Sequence, residues 1–141
     1  MSAVVLSDIE RRAARSASIT SRHSAEQLAA LQRLYELPKR HVGTGGGRSA
    51  ARLLLGLYNG TRFPFDLTDL RSFDRTNFEA AMTVIRMDAP HCQYEVHSII
   101  DAIYADTYYT GDEFENWAYN LKLKGRCSKD NLPPFVVRSL P

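Results

Sequence analysis

Zinc-binding and nucleophilic side chains are grouped in one short part of the sequence, at His91, Cys92 and His97, and Cys127 follows much later. Thiolate and imidazole groups bind zinc, or act as a nucleophile with its base. Their spacing matches none of the usual paired Cys or Cys/His zinc patterns, and nothing local distinguishes Cys92 from a buried, unreactive thiol. We therefore expect neither a metal site nor catalysis at these residues.

Three carboxylates, Asp66, Asp69 and Asp74, are spaced closely enough to suggest divalent-cation binding or acid–base chemistry. Asp66 and Asp74, however, each stand immediately before a segment with helical periodicity, where an aspartate caps the helix and contributes about 1 kcal/mol. Asp69 would complement the dipole of the first turn. We predict capping residues here and, for the whole chain, no catalytic residue, no metal and no cofactor: the protein is not expected to be an enzyme.

The run Lys39 to Gly47 combines basic residues with four glycines ahead of a helical segment. Backbone N–H groups at a helix start bind anions, but Arg48 stands where a phosphate-binding P-loop needs lysine. A dinucleotide-type glycine pattern that starts at Gly43 also ends on Arg48. We predict a flexible hinge between two helices. The alternative is a site for an anion or a nucleic-acid phosphate, with possible contacts at Lys39, Arg40 and Arg48.

Two aromatic residues, Tyr108 and Tyr109, fall in a segment with turn character rather than on a helical stripe. Asp106, Asp112 and Glu113 flank them. An exposed loop that is both aromatic and acidic suits a protein interface, where tyrosine is enriched, and repels phosphate. The five residues are therefore the predicted partner-binding site.

Charge is unevenly distributed although the net charge is only +2. Residues 1–52 hold nine Lys or Arg against four Asp or Glu, residues 53–121 hold four against eleven, and residues 122–141 hold five against one. This acidic middle between basic ends is unlike a uniformly basic nucleic-acid binder. No segment is long and apolar enough for a membrane span or a signal peptide, so a cytoplasmic protein is expected.

Apolar residues recur at helical intervals along most of the chain, which predicts an all-α fold of five or six short helices in a single domain. For residues 94–104 a strand is the lesser option, because several residues there are β-branched. We expect a flexible basic arm at residues 1–23, with a helix over 8–17 that a Ser7/Glu10 capping pair begins and a polar linker over 16–24. A helical domain follows at 24–125, and a proline-containing, irregular tail at 126–141. The predicted helices are 25–36, ended by Pro38, then 48–58, 66–70, 75–88, 94–104 and a last one from Gly111. The predicted core is Leu28, Leu31, Leu54, Leu57, Phe78, Met82, Ile85, Ile100, Phe114 and Trp117.

Several short motifs resemble those of a family of small uncharacterised proteins encoded on proteobacterial mobile elements, such as integrative and conjugative elements. The resemblance spans about residues 43–120. It implies a small helical domain and a mobile-element origin, but no activity, cofactor or catalytic residue. The sequence departs from the family pattern at Ile103 to Tyr109, which looks like an insertion, and in the tail. The motifs are GGGR at Gly45–Arg48, LYNG at Leu57–Gly60, FDLTDL at Phe65–Leu70, Asp74, the stretch Met82–Met87 and the segment Gly111–Trp117.

Together these features favour a non-enzymatic accessory protein of a mobile element that acts by stoichiometric binding of another protein or nucleoprotein complex. One specific form is an inhibitor of a host defence complex of CRISPR type, whose basic nucleic-acid channels an acidic face can occupy. The alternative is a nucleic-acid-binding accessory or regulatory protein. Its phosphate contacts would be Arg11, Arg12, Arg15, Arg22, Lys39, Arg40 and Arg48.

Overall fold

The computed structural model describes residues 3–121, 132–134 and 137–141 of the chain. Six α-helices and one 3₁₀-helix are the only regular elements in these ranges, so the all-α prediction is confirmed. None of the described helices is both long and apolar enough to cross a membrane. In chain order the elements are α1 (Ala3–Ser21), α2 (Ala25–Arg40), α3 (Gly45–Tyr58), the 3₁₀-helix (Leu67–Ser72), α4 (Arg75–Asp88), α5 (Val96–Tyr104) and α6 (Thr110–Asn120).

Helix α2 is the centre of the fold, because it packs against α3, α4 and α5. Helix α1 packs on α5, and α6 packs against α3 and α5. Burying one leucine or isoleucine side chain contributes about 1.5–3 kcal/mol, so a core shared by all six α-helices holds the domain together. Its fully buried side chains include Leu31, Leu34, Tyr35, Leu54, Leu55, Val84, Ile100 and Phe114.

One residue of the predicted core, Phe78, is exposed, and Met82 is only half-buried. The buried face of α4 is instead formed by Asn77, Ala81 and Val84, which is the predicted stripe rotated by about one residue. Alanine on that face lets α4 approach α2 closely, whereas phenylalanine would hold the two helices apart. Of the other predicted core residues, Leu31, Leu54, Ile100 and Phe114 are buried, while Leu28, Leu57, Ile85 and Trp117 pack against the core half-buried.

The N-terminal prediction is wrong about the linker and about the capping pair. Helix α1 includes Ser7 and continues to Ser21, and its Ile19 is buried in the core. Serine and threonine favour linkers because their hydroxyls compete for backbone groups. In α1 those hydroxyls bond within the helix: Thr20 donates to the Ser16 carbonyl at 3.0 Å and Ser21 to the Ser18 carbonyl at 2.8 Å. The boundary at residue 23 and the mobility of residues 1–23 stay predictions.

Gly45, Gly46 and Gly47 begin α3, so the connection between α2 and α3 is shorter than the predicted hinge and comprises residues 41–44, and Pro38 does not end α2. Helix α2 continues past Pro38 and ends at Arg40. The proline lies in the last turn, where its missing N–H removes only one hydrogen bond. Thr44 caps α3 by accepting from the Gly47 N–H at 3.0 Å, so Gly45 already belongs to α3. A Cβ at position 47 would lie 2.8 Å from the His41 carbonyl oxygen, so only glycine fits there.

Two predicted aspartate caps are confirmed. Asp66 accepts from the Thr68 N–H at 2.9 Å at the start of the 3₁₀-helix. Asp74 accepts from the Asn77 N–H at 2.8 Å at the start of α4, whose bounds agree with the prediction. Their carboxylates are therefore used in folding, as their positions before periodic segments indicate.

We expect Gly47→Ala to lower the free energy of unfolding by about 1–3 kcal/mol, because the new Cβ overlaps the end of α2. Gly46→Ala is the matched control. Its Cβ would lie 3.6 Å from the nearest atom, an ordinary contact, and alanine is the better helix former by up to about 1 kcal/mol. Urea unfolding of both variants measures the difference. Equal stability of the two would show that the α2–α3 corner is not tightly packed.

Candidate interaction surface

A buried arginine near the C-terminus, Arg138, organises the polar groups between α5 and α6. Its side chain is 2% exposed. The Nε donates to Asp106 Oδ2 at 2.7 Å and Nη2 to Asp106 Oδ1 at 3.0 Å, a bidentate pair. Further bonds reach Asp101 at 3.2 Å, Thr110 Oγ1 at 2.9 Å and the Tyr108 carbonyl at 3.3 Å. One side chain therefore joins the end of α5, the following loop and the start of α6.

The Arg138 guanidinium also lies close to two aromatic rings. Its Cζ lies 4.8 Å from the ring centre of Tyr104 and 5.6 Å from that of Tyr35. Burial alone would lower the pKa of Arg138, but Asp106 and Tyr35 hold that pKa above its ordinary value. Burial likewise favours protonation of Asp106, yet the bonds from Arg138 keep the pKa of Asp106 below its usual range. Both groups are therefore charged at neutral pH.

The α5–α6 loop, residues 105–109, is held in one conformation by these bonds. It starts with Ala105 at φ 51°, a left-handed conformation that costs an alanine about 1–2 kcal/mol. The Tyr108 N–H donates to Asp106 Oδ1 at 3.1 Å, and the Thr110 N–H donates to Asp101 Oδ1 at 2.8 Å. Strained backbone persists only where its surroundings fix it, and here Arg138 supplies that constraint.

A second buried ion pair lies beside the first. Lys39 of α2 contacts the carboxylate of Glu113 in α6, and both side chains are largely buried. Tyr35 donates to Glu113 and accepts from Lys39 Nζ at 2.9 Å, so its hydroxyl connects this pair to Arg138. Burial and the bond to Glu113 raise the pKa of Tyr35, and burial lowers that of Lys39.

The prediction that Glu113 contacts a partner and that Lys39 contacts phosphate is therefore wrong. Glu113 is 4% exposed, so it cannot contribute to an acidic contact surface. Lys39 neutralises Glu113 inside the domain and is not available to a phosphate. Asp106 is half-buried and paired with Arg138. Asp112 is half-buried in the first turn of α6 and makes no ion pair among the described residues.

The two predicted tyrosines are exposed, as the sequence indicates. Tyr108 is 38% and Tyr109 61% exposed. Arg12 of α1 reaches this loop: its guanidinium lies 5.0 Å from the ring centre of Tyr109, and its Nη2 donates to the Tyr108 carbonyl at 3.4 Å. Arg12, Arg15 and Tyr109 also line a cavity of about 220 Å³ between α1 and α5. We call Arg12, Arg15, Tyr108 and Tyr109 the tyrosine patch.

Besides Lys39, the two residues predicted to contact a phosphate at the glycine run are Arg40 and Arg48, and they lie at separate positions on the surface. Arg40 is exposed and bonds Glu36 at 3.0 Å and the Pro141 carbonyl at 3.4 Å. Arg48 is exposed and donates to the Gly43 carbonyl at 2.8 Å. Each is accessible to a ligand, and their role in binding phosphate stays a prediction.

The zinc-type residues are not brought together. Cys92 is exposed, whereas His97 is half-buried with its ring 5.0 Å from that of Tyr58, and Cys127 lies outside the described residues. Ligand atoms of Asp88, Cys92 and Glu95 instead lie within 4.8 Å of one another, a group that the sequence analysis did not identify. Burial and the two carboxylates raise the pKa of Cys92 to about 11, which keeps the thiol protonated. A protonated thiol is a poor nucleophile.

Sequence reasoning missed Arg138 and Tyr35 as functional positions. Tyr35 stands at helical spacing from Leu28 and Leu31, which predicts a place on the apolar stripe of α2, and its burial agrees with this. Arg138 lies in a segment without periodicity, and its acidic partners are 32 and 37 residues away in sequence. Glu113 did carry a signal, because it stands four residues before Trp117 and so shares that residue's helical face.

Comparison with known proteins gives one match. A family model described as a family of unknown function (DUF7673) matches residues 28–115. No curated protein and no solved structure matches the chain. The matched range contains the α5–α6 loop but neither α1 nor Arg138.

We expect Arg138→Gln to lower the free energy of unfolding by about 3 kcal/mol, because Asp106 loses its bidentate partner. Arg86→Gln is the control, since Arg86 is exposed on α4 and makes no ion pair in the described part of the chain. It should change stability by less than about 0.5 kcal/mol. Chemical denaturation at neutral pH measures both. A loss for Arg138→Gln no larger than that of the control would contradict the role assigned to this arginine.

Proposed function

The chain belongs to DUF7673, a family of unknown function, and we propose that it acts without catalysis by binding another protein through the tyrosine patch. The observation that carries this proposal is the exposure of Tyr108 and Tyr109 on a loop that the buried Arg138 fixes. Tyrosine is enriched at protein interfaces because its ring offers a large apolar area and its hydroxyl a hydrogen bond.

The fixed loop favours binding energetically. Ordering a flexible side chain or loop at an interface costs about 0.5–1.5 kcal/mol for each immobilised side chain. Arg138 and Asp106 have already ordered the backbone on both sides of Tyr108, and Arg12 lies over the ring of Tyr109. The cost of ordering the loop backbone is therefore met in folding rather than on binding.

The structure changes the type of contact expected from the sequence. Two of the three acidic residues assigned to the surface, Asp106 and Glu113, are in ion pairs, whereas Arg12 and Arg15 lie beside Tyr109. We therefore propose that aromatic contacts and arginines, rather than an acidic face, engage the partner. An arginine beside a tyrosine favours a partner that presents carboxylates next to apolar side chains.

We propose a cytoplasmic accessory protein of a mobile element as the setting. Inhibition of a host defence complex of CRISPR type is one specific activity, in which the tyrosine patch would bind a carboxylate-bearing apolar surface of that complex rather than its basic nucleic-acid channel. The resemblance to mobile-element proteins described above supports this setting. The two segments that depart from that resemblance, Ile103 to Tyr109 and the tail, contact each other through Asp106 and Arg138. A surface built from them suits a function particular to this protein.

Nucleic-acid binding is the second candidate, and one observation favours it. Arg12 and Arg15, two of the basic residues proposed to contact phosphates, lie next to exposed tyrosines on which bases can stack. Such binding would weaken steeply as the salt concentration rises, because each phosphate contact releases a counterion.

We expect a Tyr108→Ser, Tyr109→Ser double variant to lose partner capture by at least about 30-fold, which is the loss expected if a single central interface tyrosine contributes about 2 kcal/mol. Tyr119→Ser is the control, because Tyr119 on α6 is as exposed as Tyr108 and lies outside the tyrosine patch. Both variants should keep the thermal stability of the parent. Captured proteins from the native host, treated with nuclease, are compared by quantitative mass spectrometry.

Equal capture by the double variant and the control would exclude the tyrosine patch. Capture that disappears with nuclease, together with a DNA or RNA mobility shift at about 50 mM salt that is lost at about 200 mM, would favour the nucleic-acid alternative instead.

A further inference from the structure

A cavity of about 420 Å³ lies on a different part of the surface, where the end of α2, the start of α3 and helix α6 meet. Its volume is within the range of small-molecule pockets, about 300–1,000 Å³. Its lining residues include Arg48, Ala51 and Trp117, and none of the lining residues belongs to the tyrosine patch. The glycine run at the start of α3 forms one wall through Gly43 and Gly47.

The apolar wall of the cavity is packed against the core. Trp117, the single tryptophan of the chain, is stacked on Tyr35 with ring centres 5.8 Å apart and contacts Phe114 at 4.9 Å. Ala51 on the facing helix is buried and leaves space beside the indole. A flat or compact apolar group fits such a wall without loss of side-chain freedom.

The charges around the cavity are unbalanced. Lys39 and Arg48 line it together with one carboxylate, that of Glu113. Glu113 is already neutralised by Lys39 and bonded by Tyr35. Arg48 is exposed, bonds only a backbone carbonyl, and makes no ion pair among the described residues. The positive end of the α3 dipole lies beside it, so the net field favours a negative group.

We propose that this cavity binds a small organic anion, with an apolar body against Trp117 and a carboxylate or similar group on Arg48. An anion site at the glycine run is one of the two interpretations of the sequence, and the structure adds an apolar compartment that a free inorganic anion would not use. The site is independent of the proposed protein-binding function, because it shares no residue with the tyrosine patch.

Trp117 reports ligand binding, since it is the chain's only source of indole fluorescence and of an indole N–H signal in NMR. The full chain is titrated with three probes that share one apolar body: para-tert-butylbenzoate, the neutral para-tert-butylbenzyl alcohol and the cationic para-tert-butylbenzylamine. We expect a saturable change with the carboxylate, and at least about tenfold weaker binding of the alcohol and the amine, because a charge-assisted bond is lost.

Arg48→Glu should weaken binding of the carboxylate at least about tenfold and leave that of the alcohol unchanged. Arg86→Glu makes the same change of net charge on an exposed residue of α4 that does not line the cavity, and should leave all three affinities unchanged. The proposal is wrong if the full chain gives no saturable change, if the three probes bind equally, or if both variants weaken carboxylate binding to the same extent.

Discussion

The positive charge of Arg138 inside the domain is the constraint on which the arrangement of α5, α6 and their loop depends. A buried guanidinium is costly unless every face and every donor finds a partner. Here Asp106 binds it in a bidentate manner, Asp101 and Thr110 take further donors, and the ring of Tyr104 covers one face. These partners come from three consecutive segments, so their relative positions are fixed by one side chain.

The hydroxyl of Tyr35 extends this constraint to the centre of the fold. It accepts from Arg138 and donates to Glu113, whose carboxylate also binds Lys39 at the end of α2. Replacing a whole buried ionic cluster by apolar residues is often neutral for stability, whereas removing one member is costly. We therefore interpret the cluster as a device that selects one conformation of the α5–α6 loop, in addition to the hydrophobic core that supplies most of the stability.

Much of the fold could be predicted from the sequence, because periodicity and caps are local signals. The bounds of α4 follow from Asp74 and a regular stripe, although the stripe's phase was misassigned and Phe78 is exposed. The candidate site could be predicted only in part. The exposure of Tyr109 follows from its place in a turn, but pairing of Asp106 with Arg138 joins residues far apart in sequence, which spacing does not reveal. Charge counts contain no information on burial, so they do not indicate that Glu113 is buried.

The proposed function requires the α5–α6 loop to be rigid before a partner binds, with Tyr108 and Tyr109 exposed on it and Arg138 fixing its backbone. Backbone order parameters from nitrogen-15 NMR relaxation of the free protein test this most directly. We expect values of about 0.85 for residues 105–109, as in the neighbouring helices α5 and α6. Values below about 0.6 for these residues, with the helices ordered, would contradict it.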